Sequence, residues 1–199
     1  MPKGFTDREK TLIRARLIDK GKDLFSAYGV RKTNVEDLTR AAGISKGAFY
    51  LFFDSKEELF FELLEQFEAE FKAAMLQAID QSQGDPRQTL QEVLQQALDV
   101  WRTNPLFSHF SKEEYEYLLR KLPEEKVQAH LQNDDSFADE LVAHWQQRGI
   151  MIKHAPEMIA GLIRALFFVT LHEEEFTAGV YPAVMSTLVR LIADYIVQE

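Results

Sequence analysis

The residues best suited to chemistry in this chain cluster near its start, and the chemistry they suit is the gripping of a polyanion. Lys46, Gly47 and Ala48 place one long cation beside two very small side chains. The ammonium can reach phosphate or the acceptor edge of guanine, while the small neighbours let backbone approach a groove. Thr33 and Asn34 stand where a hydroxyl or a helix N-terminus can clamp a phosphate, and Ser45 immediately precedes the cation. Bond-making chemistry has no comparable constellation. Cysteine is absent, and the chain lacks a Gly-rich phosphate loop, a nucleophile elbow and a paired-histidine motif. His172 and Glu175 have a chelating spacing, but sequence ties no further ligand to them. The expectation is a protein that is not an enzyme, with no metal site and no cofactor.

These residues need elements to hold them, and the chain reads as all-helical, with apolar residues recurring at spacings of three and four. Thr6 with Glu9 forms a capping-box signature for a first helix bearing Ile13, Leu17, Leu24, Phe25 and Tyr28, stopped at Gly29. Asn34 caps a short second helix, Val35 to Ala42, ended by Gly43, and Ser45 caps a third through Phe52. Ser55 with Glu58 begins a long fourth helix with an apolar stripe from Phe60 to Met75. Further helices follow from Pro86, from Ser111 with Glu114, and from Pro123 to Gly149, the last with an interruption expected near Asn133 to Ser136. The final two are expected at Pro156 to Glu174 and Pro182 to Val197. Two short helices about a glycine turn, with a supporting helix before them, are the helix-turn-helix pattern.

The stretch TNVEDLTRAAGISKGAFYLFFDSKEELF, Thr33 to Phe60, with Phe25 to Val30 before it, resembles the DNA-binding signature of the TetR family of transcriptional regulators. The resemblance implies a double-stranded DNA operator as partner and aligns Tyr50 and Lys56 with the family's phosphate-gripping tyrosine and fourth-helix lysine. Leu51 and Phe52 depart from the polar or basic residues many members carry there; Leu51 suits a thymine methyl or packing on helix four. The domain expectation is a helix-turn-helix head at 1–56 and an effector-binding, dimerising body at 57–199. Charge follows that division. The net charge is −9, yet residues 1–56 hold 12 Lys and Arg against 7 Asp and Glu, while 57–199 hold 11 against 25. A basic head on an acidic body concentrates the attraction for DNA at one end.

The last two helices are apolar around most of their circumference, so each must be buried on more than one side. Ile159, Ile163, Leu166, Phe167, Val184, Leu188, Leu191 and Tyr195 are the residues expected at a homodimer interface, which the resemblance implies. The resemblance also implies a small-molecule effector, for which Trp101, Phe107, Phe110, Tyr115, Tyr117, Leu118, Trp145, Phe168 and His172 are the pocket candidates. The same aromatics would also serve as ordinary core. No signal peptide or membrane-spanning run is seen, and the cytoplasm is the expected compartment. The competing reading is a helical small-molecule carrier or sensor with a vestigial helix-turn-helix.

Overall fold

A computed structural model of the chain describes residues 5–150, 152 and 154–197; the first residues of the expected head and the last of the expected body lie outside them. Among the described residues there are nine α-helices and no strand. They are α1 (Asp7–Lys32), α2 (Val35–Ala42), α3 (Lys46–Phe49), α4 (Lys56–Gln81), α5 (Pro86–Thr103), α6 (Lys112–Lys121), α7 (Glu124–Gln147), α8 (Pro156–Thr170) and α9 (Val180–Ile196). By packing the chain divides into two compact units, Met1–Phe67 with Thr103–Leu122, and Glu68–Arg102 with Pro123–Glu199. The packing boundary thus falls within α4 rather than at Lys56, and the first unit also takes in a segment far along the chain.

Local chemistry accounts for the helix ends. The Thr6 side chain accepts from the Glu9 N–H while the Glu9 carboxylate accepts from the Thr6 N–H, completing the capping box of α1. One face of α1 buries Ile13, Leu17, Gly21 and Phe25, at spacings of four, while Tyr28 is exposed. Gly21 lets α4 come close: a Cβ there would sit 3.1 Å from Leu59 Cδ2. Gly29, at φ 75°, breaks the helical conformation as expected, and the last turn of α1 resumes beyond it.

The first unit is tied by a run of aromatic rings. Phe25 meets Phe60 edge-on at 5.4 Å, Phe60 stacks on Phe110 at 5.7 Å, Phe110 meets Phe107 at 6.2 Å, and Phe107 meets Phe67 at 4.8 Å. The 3-10 turn Pro105–Phe107, opened by the Asn104 side chain, delivers two of these rings to the unit. His109 Nε2 lies 3.2 Å from the Ala27 carbonyl, and the Ser108 hydroxyl donates to the Ser26 carbonyl at 3.3 Å.

The second unit has its own core, centred on the fully buried Trp145, Leu141, Ile159, Leu90 and Ile196. Helix α7 runs without the interruption expected near Asn133 to Ser136. The polar side chains there have partners that do not compete with the helix: Asp134 with Lys72, Asp135 with Arg164, and the Ser136 hydroxyl with the carbonyl one turn back. Helix α8 stops at Thr170 rather than Glu174. Three successive glutamates would face the negative end of the helix dipole, and they form a 3-10 turn, Glu173–Glu175, instead. Helix α9 starts earlier than expected, after Gly179 at φ 83°, because Pro182 is tolerated within a first helical turn.

Candidate nucleic-acid interface

The reading head is fixed by α2 and α3. Asn34 Oδ1 accepts from the Asp37 N–H at 2.9 Å to start α2, and Gly43 ends it in the left-handed conformation at φ 69°, ψ 38°. The Ile44 N–H closes the turn on the Thr39 carbonyl at 3.0 Å, and Ser45 Oγ accepts from the Ala48 N–H at 3.2 Å to start α3. Leu38, Ala42 and Phe49 are buried behind this turn and lock the two helices together. Helix α3 is shorter than expected, ending at Phe49 rather than Phe52. The chain tightens there, with the N–H groups of Leu51 and Phe52 bonding three residues back, to Ala48 and Phe49.

This geometry sorts the predicted DNA residues. Ser45, Lys46, Gly47, Tyr50 and Leu51 are exposed together along α3 and the turn after it, with Asn34 exposed at the start of α2. Ala48 is buried and contributes packing rather than a side-chain contact. Nothing lies within 4 Å of a Cβ built on Gly47, so the fold itself makes no demand for glycine there. Lys46 Nζ lies 2.5 Å from Glu36 Oε1, a pair that holds the lysine above its ordinary pKa and the glutamate below. Both partners are more than half exposed, so a phosphate can replace Glu36 at small cost. Leu51, 70% exposed, does not join the packing on α4.

Two of the predicted DNA residues have their side chains engaged within the protein. Thr33 is buried, and its hydroxyl proton is engaged by the Gly29 carbonyl at 2.8 Å, so it has no hydroxyl donor left for a phosphate. Lys56 is turned inward: its ammonium donates to the carbonyls of Val30 at 2.7 Å, Arg31 at 3.1 Å and Thr33 at 2.6 Å. All three donors of the ammonium are thereby used to satisfy the end of α1. Burial lowers its pKa against the pull of Glu57 and Glu114. Glu57 in turn accepts a short hydrogen bond from the Tyr117 hydroxyl, and burial with this carboxylate pushes Tyr117 up to about 12. Lys56 is a structural clasp between α1 and α4, and Glu57 with Tyr117 extends it to α6. The sequence reading missed Glu57 and gave Tyr117 to a pocket because nothing local marks either as a partner of that lysine.

The nine pocket candidates are divided. Phe107, Phe110, Tyr115, Tyr117 and Leu118 belong to the first unit, where the first three join the ring run. Trp101, Trp145, Phe168 and His172 belong to the second. There Trp145 is core, Trp101 meets Phe167 edge-on at 4.9 Å, Phe168 is exposed, and His172 Nδ1 lies 2.8 Å from Glu175 Oε1. The interface candidates also divide. Ile159 and Leu166 are buried in the core of the second unit. Ile163, Phe167, Val184 and Leu188 are half-buried, and Leu191 and Tyr195 are exposed. Met158, Phe168 and Val180 are exposed apolar residues on the same two helices that the sequence reading did not single out for an interface.

A helix-turn-helix with a small, exposed reading face, supported by a long N-terminal helix and joined to a separate helical unit, defines a class of DNA-binding proteins. Residues 17–63 match the model of the bacterial regulatory proteins of the tetR family. The chain is 33% identical over 94 residues to the HTH-type transcriptional regulator AcrR of Shigella flexneri, a match that covers 47% of this chain and 44% of AcrR. The chain thus spans less than half the length of this curated relative. Over 98% of its length it has the fold of a TetR-family transcriptional regulator from Pectobacterium atrosepticum, with TM-score 0.75, 19% identity and 99% of that chain covered. The TetR-family repressor FadR of Thermus thermophilus, solved with lauroyl-CoA, shares the fold at TM-score 0.61 and 19% identity, over 94% of this chain and 96% of FadR. No described helix is long and apolar enough to cross a membrane.

Proposed function

We propose that this chain is a DNA-binding transcriptional regulator that acts as a homodimer in the cytoplasm and is released from its operator by a small molecule. The exposed row Ser45, Lys46, Gly47, Tyr50 and Leu51, held on a rigid turn, carries the DNA half of this reading. Asn34 and Ser45 cap their helices and stand at the N-termini where phosphates bind. Residues 1–56 read DNA in this scheme, and 57–199 sense and dimerise. The acyl thioester in FadR supports an effector in the helical body, with Trp101, Phe168 and His172 as residues of the second unit that remain candidates to meet it. The exposed apolar face of α8 and α9 supports a partner subunit there. For an effector to release DNA it must bind the DNA-incompetent arrangement more tightly than the competent one.

A fluorescence-anisotropy titration on DNA from upstream of its own coding region tests the proposal. The unmodified protein should bind, with affinity falling steeply as salt rises. Replacing both Lys46 and Tyr50 with alanine should weaken binding by roughly 10-fold or more, two contacts of about 1 kcal/mol each. Equal affinity for the double variant would remove α3 as the reading element.

A further inference from the structure

Within the second unit, Glu68 of α4 meets His130 and Asp134 of α7. One ligand atom from each lies within 4.8 Å of the others, and all three side chains are half-buried. The spacing of four along α7 puts His130 and Asp134 on one face, so the helix itself presets two of the three groups. His130 Nδ1 lies 3.6 Å from Glu68 Oε2. Donors bound to one ion at about 2.0–2.2 Å stand roughly 3.0–3.5 Å apart, so the His130–Glu68 pair needs to close by a few tenths of an ångström, and Asp134, within 4.8 Å of both, by roughly 1–2 Å at most.

The surrounding charges show what the cluster is suited to hold. Lys72 places its ammonium 2.7 Å from Asp134 Oδ1, and Arg164 Nη2 lies 3.9 Å from Asp134 Oδ2 and 3.2 Å from Asp135 Oδ1. Asp134 thus already holds a cationic group, with which a metal ion would compete for that carboxylate. Lys72 also lies 5.4 Å from the centre of the Phe137 ring, whose face can keep the ammonium once it leaves Asp134. Half-buried charges contribute little net stability when paired and cost stability when not, so a helical body has small structural reason to collect them.

We propose that Glu68, His130 and Asp134 bind one divalent first-row transition cation, displacing Lys72 from Asp134. One imidazole with two carboxylates is a mixed nitrogen and oxygen set, which suits such ions better than Mg²⁺. Three protein ligands leave at least one position open to water or to an oxygen-bearing ligand. This site is independent of the DNA-binding reading and stands or falls without it.

Zn²⁺ is the probe, titrated calorimetrically into the full-length, tag-free protein, with imidazole nitrogen–proton NMR correlations recorded alongside. The expected result is one saturable equivalent per chain, a shift of the His130 resonances, and no comparable binding of Mg²⁺. His130→Gln and Asp134→Asn should each weaken binding about 10-fold or more. Lys72→Met should strengthen it several-fold by removing the competing ammonium, an effect that a purely structural ion-pair network does not produce. His172→Ala should leave it unchanged. The NMR shift in the unmodified protein decides the matter even if a variant fails to fold. Absence of saturable Zn²⁺ binding at millimolar concentration, shifts confined to other histidines, or a Lys72→Met protein with no gain would each overturn the site.

Discussion

At Gly47 the requirements of folding and of recognition come apart. Because no atom of the chain approaches a Cβ there, Gly47→Ala should leave thermal stability unchanged or slightly raised, by up to about 1 kcal/mol from helix propensity. On the proposed interface the added methyl should nevertheless weaken operator binding in an anisotropy titration. Unchanged binding would show that α3 does not come close to a groove at this position. Lys56 presents the opposite case, a lysine aligned with a DNA-contacting position whose ammonium is fully occupied by backbone carbonyls. Its charge was readable from the sequence and its direction was not. The carbonyls it meets lie more than twenty residues back, and only the approach of the end of α1 to the start of α4 brings them within reach. The cluster of Glu68, His130 and Asp134 escaped notice for a related reason. The spacing of His130 and Asp134 on α7 was visible, but Glu68 belongs to another helix.

At the scale of elements, the caps were the most readable features because each is completed within four residues. Thr6, Asn34, Ser45 and Ser111 all accept the N–H three residues on, as their types and positions required. Helix ends set by electrostatics or by side-chain pairing were less readable, as the glutamate turn after α8 and the unbroken α7 illustrate. Helix α6 offers a pH test of its own anchorage. Tyr117 is raised from 10.0 to about 12, first by burial and then by its bond to Glu57. The folded state therefore favours the neutral phenol, and the stability this supplies is complete below pH 10.0 and lost as pH rises towards about 12. Tyr181, also raised by burial, adds to the same loss in any variant that keeps it. Melting temperatures measured across that alkaline range should fall less steeply for Tyr117→Phe than for the unmodified protein; parallel curves would mean that the Tyr117 phenol does not contribute to the alkaline loss.

For the whole molecule, the exposed apolar residues of α8 and α9 are where the proposed partner subunit would sit. Met158, Phe168, Val180, Leu191 and Tyr195 all remain exposed, and the small Gly161, Ala165 and Ala183 are exposed on the same helices, where they would permit close approach. On the proposed homodimer, Leu191→Glu should convert dimer to monomer in analytical ultracentrifugation without lowering the melting temperature of the monomeric fold, since Leu191 is 55% exposed. A protein that sediments as a dimer with this substitution would place the interface elsewhere. The aromatic run that joins Phe25 and Phe60 to Phe107 and Phe110 bears on how the protein is made. The unit containing the helix-turn-helix is assembled from two stretches of chain separated by a helix that belongs to the other unit. As the chain emerges from the ribosome, the ring contacts of Phe60 with Phe110 and of Phe67 with Phe107 cannot form until the second stretch has followed. The helix-turn-helix is thus synthesised early but its supporting unit completed late, and a head transplanted to another protein must bring residues 103–122 with it to keep its own core.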